Sequence, residues 1–180
     1  MNFKDWAIQQ HKDTNHMYDL YLPYEFHLRL VDSVHNEFHN ASGTEIFYQI
    51  LSLACFGHDL IEDTRVTYNE VVAALNEHFN LESYHKSKMV AEIIRAVTNY
   101  GRGRDRNERM PDFVYEDIRK TPGATYVKLC DRIANVRYGL LTKSSMTEKY
   151  KKEHPHFKTM LDTGEYKVMW DELEKLLNIK

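Results

Sequence analysis

The segment GHDLIEDT at 57–64 holds four ionisable groups at the end of an apolar run. His58 and Asp59 are adjacent, Glu62 follows His58 by one helical turn, and Asp63 follows Asp59 by one. That spacing predicts that all four share one side of a helix end. Burying three carboxylates and an imidazole together is costly without compensation. A cation is the cheapest compensation, and mixed nitrogen and oxygen donors suit Mn²⁺, Fe²⁺, Co²⁺ or Zn²⁺. One helix end cannot close such a site. Asp131, in VKLCDRIANVR, sits between the apolar residues Leu129 and Ile133, with Asn135 and Tyr138 following on the same side at i+4 and i+7. His27, in PYEFHLRL, is the second candidate, embedded among apolar residues near a helix start.

The elements that must position these residues read as helices. Residues 2–12 form a short one, with Phe3, Trp6, Ala7 and Gln10 on one face. Pro23 is placed to open the next, over about 24–39, with Leu30, Val31, Val34 and Phe38 spaced for burial. Thr44 caps a run from Ile46 to Phe56 that is apolar almost all round, the pattern of a central helix. Thr67 caps a helix carrying Val71, Val72, Leu75 and Phe79, and 86–98 gives another. Residues 99–107, NYGRGRDRN, read as a loop, and 108–120 as partly helical around Pro111. Thr121–Pro122 predicts a cap and first helical residue for 122–141, with Leu129, Ile133, Val136 and Leu140 facing the core. Helices at about 145–161 and 165–178 follow, and no strand alternation, repeat or linker is visible. The expectation is an all-α fold in one domain over 1–180.

Composition agrees with a globular chain of 180 residues, 42% hydrophobic and 28% charged. A net charge of -3 argues against a general nucleic-acid-binding surface. No apolar run reaches the length needed to cross a bilayer, and residues 1–15 lack the pattern of a signal peptide. Cys55 and Cys130 both lie in apolar patterns, so buried free thiols and a cytoplasmic setting are expected.

The pattern His…His-Asp…Asp resembles that of the HD metal-dependent phosphohydrolases. HD followed by IEDT, then VKLCDRIANVR, is similar to the HD-x-x-EDT and KLADRxxN segments of the RelA/SpoT hydrolase domain and of small stand-alone alarmone hydrolases. QQHKDTNHMYDLYLPYEFH resembles the front segment of that family, so the likeness spans about 4–142, with 145–178 completing the bundle. The resemblance implies a single HD-type helical bundle holding one Mn²⁺. It implies removal of the 3′-pyrophosphate from (p)ppGpp by attack of a metal-bound water. By position, His27, His58, Asp59 and Asp131 are the implied metal ligands, Glu62 and Asp63 the acids that set the water, and Asn135 a nucleotide contact. Arg137 matches a basic residue of the same segment. His16 falls where relatives carry an arginine near the nucleobase.

Elementary chemistry is consistent with that assignment. A metal acts as a Lewis acid and lowers the pKa of bound water, and a carboxylate takes the proton. Developing phosphoryl charge needs further cations. Arg102, Arg104, Arg106 and Arg109 form a basic segment, of which Arg109, beside a helix, is the expected phosphate contact. Tyr24 and Tyr138 are candidates for base stacking. The family's HP is His27–Leu28 here, and the spacing from His27 to His58 is longer than usual. Two alternatives stay open: an HD phosphohydrolase for another nucleotide or nucleotide cofactor, and a catalytically silent nucleotide-binding protein. His35, His39, His78, His85, His154 and His156 are expected at the surface or in caps, and His11 in a structural place near the site.

Overall fold

A computed structural model describes residues 1–79, 84–99 and 110–179. Its helices are α1 (Phe3–Asp13), α2 (Glu25–Glu37), α3 (Glu45–Gly57), α4 (Leu60–Asp63), α5 (Tyr68–His78), α6 (Tyr84–Val97), α7 (Asp112–Lys120), α8 (Ala124–Thr142), α9 (Met146–Leu161) and α10 (Lys167–Leu176). A 3₁₀ turn at His39–Ser42 separates α2 from α3. No strand occurs among the described residues, where a single isolated bridge pairs Met17 with Pro23. The architecture is all-α. No helix among the described residues is long and apolar enough to cross a membrane.

Helices α2, α3, α6 and α8 form the centre. α3 packs on α1, α2, α6 and α8, while α8 packs on α2 and α6 and is covered by α7, α9 and α10. One apolar cluster runs from Phe3 to Leu177. The centrality of α3 follows from its composition, since Ile50, Leu51, Leu53, Ala54, Cys55 and Phe56 are all buried. Two helices, α3 and α5, start as their sequences dictate. Thr44 Oγ1 accepts from the Phe47 amide at the start of α3, and Thr67 with Glu70 closes a reciprocal capping box on α5. Cys55 and Cys130 are free and fully buried.

Four local expectations are corrected. α8 begins at Ala124 rather than Pro122, because Gly123 stands before it in the left-handed region (φ +87°). A Cβ there would lie 2.7 Å from Leu51 Cδ2 and 3.0 Å from Phe47 Cζ, so glycine is required by backbone and packing alike. Thr121 instead ends α7, its hydroxyl donating to the Asp117 carbonyl. Leu140, near the end of α8, is 41% exposed, since the core contact of that helix has turned away by its last turns. His35 and His154 are buried rather than at the surface. The His35 ring stacks on Tyr48 with Nδ1 3.1 Å from the Tyr126 hydroxyl, and burial lowers its pKa to about 4. His154 Nε2 lies 3.4 Å from Glu174.

Candidate metal centre and cleft

The HD dipeptide sits at a break. α3 ends at Gly57, His58 and Asp59 form a turn, and α4 restarts at Leu60. The expected continuous helix end is therefore two helices. His58 Nδ1 donates to the Cys55 carbonyl at 2.8 Å, taking the acceptor that a continuing helix would offer to the Asp59 amide. The break turns Asp59 into the interior while Glu62 and Asp63 ride on α4. His27 comes from α2 and Asp131 from α8, so the cluster is assembled by the mutually packed α2, α3 and α8.

His27 Nε2 and His58 Nε2 face each other at 3.3 Å. Asp131 Oδ1 lies 3.4 Å from the first and 3.7 Å from the second, and Asp59 Oδ2 lies 3.8 and 2.8 Å from them. One ligand atom each of His27, His58 and Asp131 falls within a 4.8 Å sphere of mutual distances, a group able to hold a metal ion. Burial opposes charge on His58, yet Asp59 and Asp131 outweigh it and raise its pKa to about 9. Burial likewise opposes charge on the two aspartates, but the imidazoles and the Lys128 ammonium hold both well below the usual carboxylate range. The centre therefore favours positive charge. The bond to the Cys55 carbonyl fixes the His58 ring with Nε2 directed at the cluster, and the two imidazole Nε2 atoms with two carboxylates are a donor set that fits a divalent transition metal.

The residues of the cluster are themselves held. The Tyr24 hydroxyl donates to Asp59 Oδ2, and burial, with the Asp59 and Asp63 charges, pushes the phenol well above its ordinary value. Asn135 Nδ2 donates to Asp131 Oδ1, and Asn135 Oδ1 accepts from the Tyr18 hydroxyl at 2.8 Å. Tyr18 also stacks on His27, with ring centroids 4.7 Å apart. Above the cluster lies a cavity of about 270 Å³. Its lining joins residues expected from sequence (His16, His27, Asp59, Glu62, Asp63, Asp131 and Asn135) to others that were not, namely Tyr18, Asn99, Lys128, Arg132 and Tyr150. His58 is buried beneath it.

Within the cavity the two α4 acids differ. Both oxygens of Glu62 accept from Asn99, at 2.9 and 3.1 Å. Partial burial and the neighbouring Asp59 and Glu62 carboxylates push Asp63 up to about 7. Lys128 Nζ lies 3.3 Å from the Val97 carbonyl and 3.8 Å from Asp131, and Arg132 reaches Glu153 and packs over the Tyr150 and Phe157 rings. Both cations belong to VKLCDRIANVR, at i−3 and i+1 from Asp131. Their helical phase was available, but a lysine and an arginine on a helix ordinarily read as solvated.

Other expected contacts are placed differently. His16 lines the cavity, but its ring stacks on Tyr24 at 3.9 Å and its Nδ1 meets His11 Nδ1 at 3.1 Å. Tyr138 donates to Asp19 and lines a neighbouring cavity of about 340 Å³ that shares Tyr18, Asn135 and Tyr150 with the first. Arg137 is turned to Glu37, at 2.5 and 2.9 Å, and to Glu172, at 2.9 Å, and lines neither cavity. Its salt bridges tie α8 to α2 and α10. Arg102, Arg104, Arg106 and Arg109 lie outside the described residues.

No protein-family model matches the chain, and no curated protein matches it. A solved structure does, the one reported as "A metazoan ortholog of SpoT hydrolyzes ppGpp and plays a role in starvation responses". The match covers 96% of this chain and 92% of that one, with a TM-score of 0.67 and 18% sequence identity. In fold, the chain is thus similar to a protein of the group that its HDLIEDT and VKLCDRIANVR segments resemble.

Proposed function

We propose that the chain is a Mn²⁺-dependent phosphohydrolase that removes pyrophosphate from a guanosine 3′-polyphosphate such as ppGpp. The observation that carries this is the convergence of two imidazole Nε2 atoms and two carboxylates beneath a cavity that also holds Glu62 and Asp63. The fold shared with a ppGpp hydrolase supports the choice of substrate.

His27, His58, Asp59 and Asp131 would hold the ion. Mn²⁺ is the proposed metal, and Fe²⁺, Co²⁺ and Zn²⁺ suit the same donors. When bound, it supplies Lewis acidity toward phosphoryl oxygen and water. Glu62, fixed at both oxygens, orients a water at the cavity floor. Asp63, with a pKa raised to about 7, takes up a proton near neutrality. Lys128 and Arg132 set positive charge at the wall, where negative charge grows on the phosphoryl group. Asn135 acts on the ligand Asp131 and on Tyr18, so its proposed nucleotide contact shares an amide already engaged.

The test is incubation of the purified chain with Mn²⁺ and ppGpp, with products separated by ion exchange, beside Asp59→Ala. GDP and pyrophosphate from the wild type alone are expected. Retained metal without turnover would move the reading to another nucleotide. One observation favours that second reading: His16, at the place of the nucleobase contact, is stacked against Tyr24 and paired with His11. Neither turnover nor metal would leave a binding protein.

A further inference from the structure

The C-terminal end of α6 forms a wall of the cavity, although nothing in its sequence carries a motif. Thr98 ends the helix: its buried hydroxyl donates to the Ile94 carbonyl at 2.8 Å, and its amide to Arg95. The chain then turns Asn99 toward α4. The Asn99 amide N–H reaches Glu62 Oε2 at 3.1 Å and its side-chain Nδ2 reaches Oε1 at 2.9 Å. Two donors from one residue thus grip two oxygens of one carboxylate across 37 positions of sequence. A single hydrogen bond leaves a carboxylate free to rotate, whereas a two-point grip fixes its plane. The same helix end offers the Val97 carbonyl to Lys128, so one turn of chain sets an acid and a cation of the cavity together.

We infer that Asn99 is the positioning residue for Glu62, holding the carboxylate plane that orients the attacking water. The inference rests on the proposed hydrolase reading for its consequence, but the grip itself does not. Asn99 Oδ1 is buried with no partner among the described residues, so the side chain is held in place by Glu62 rather than by a network of its own. Misplacing a reacting group by about 1 Å can cost about 10²-fold in rate. Asn99→Asp is nearly isosteric and replaces the donor facing Glu62 Oε1 with an acceptor.

The experiment compares the wild type, Asn99→Asp, Glu62→Gln and the double variant. With Mn²⁺ and ppGpp, Asn99→Asp is expected to lower kcat by about 10- to 10²-fold while KM and calorimetric Mn²⁺ affinity stay within about twofold. In the Glu62→Gln background the same change should cost nothing further. An unchanged kcat, or a rise in KM alone, overturns the inference. Thermal unfolding without metal tests the grip separately: Asn99→Asp lowers Tm, and Glu62→Gln, which supplies an amide donor to Asp at 99, restores it. Strictly additive Tm changes overturn the inference too. If the wild type hydrolyses no nucleotide, the hydrolase reading fails, and the Tm cycle alone decides whether Asn99 holds Glu62.

Discussion

Glu62 and Asp63 are neighbours with the same charge, and their surroundings separate them. Glu62 accepts two N–H bonds from Asn99, while Asp63 faces the Asp59 and Glu62 carboxylates with a distant contact from Tyr24 at 3.4 Å. In the proposed reaction, an acid that sets the attacking water contributes about 10²- to 10⁴-fold to rate. Glu62→Gln keeps the size and one acceptor but loses the charge. It is expected to cut kcat by at least about 10²-fold while Mn²⁺ affinity, measured by calorimetry, is retained. Full activity would remove Glu62 from the reaction. Both acids were legible in the sequence because they lie a fixed helical step from His58 and Asp59. Asn99 was not, since it comes from a helix end with no pattern, and contact over 37 positions is set by packing. Arg137 misled for the converse reason: its place in VKLCDRIANVR matches the resemblance, but the acids of α2 and α10 claim its guanidinium.

At the level of elements, the helices follow apolar periodicity and their breaks follow side-chain chemistry. The capping threonines 44 and 67 announced α3 and α5. The two breaks that matter most for the cleft were not announced. One is the turn at His58–Asp59, set by an imidazole that takes a helix carbonyl. The other is the start of α8 at Ala124, set by the close approach of Gly123 to Leu51 and Phe47 on α3. Thr–Pro is a sound start signal, and it fails here because the helix direction is fixed by that contact. Gly123→Ala tests this. A residue with Cβ in the left-handed region costs about 1–2 kcal/mol, and forcing a methyl into a packed contact about 1–3 kcal/mol more. Urea unfolding should show a loss of at least about 2 kcal/mol with an unchanged m-value. A loss below about 0.5 kcal/mol would mean that α3 and α8 do not pack as described.

The whole molecule gathers the cluster from α2, the end of α3 and α8, so the proposed metal binding would be coupled to folding. His27, His58–Asp59 and Asp131 meet only when α2, α3 and α8 are packed. The unfolded chain keeps His58 and Asp59 together but leaves His27 and Asp131 31 and 73 positions from His58. A ligand that binds only the folded state stabilises it by about 2.7 kcal/mol at a hundredfold excess over Kd. For a chain of this size each kcal/mol moves Tm by about 2–4 °C. Mn²⁺ at that excess is therefore expected to raise Tm by about 5–10 °C over the chelator-treated protein. Asp59→Ala should lose most of that rise, and Glu62→Gln should keep it, because Glu62 binds Asn99 rather than the cluster. The same scan repeated with Fe²⁺, Co²⁺ and Zn²⁺ ranks the metals by the shift each produces. A wild-type Tm that does not change with any of these ions would mean that the four residues hold no metal, and that the buried cluster is a hydrogen-bonded charge network alone.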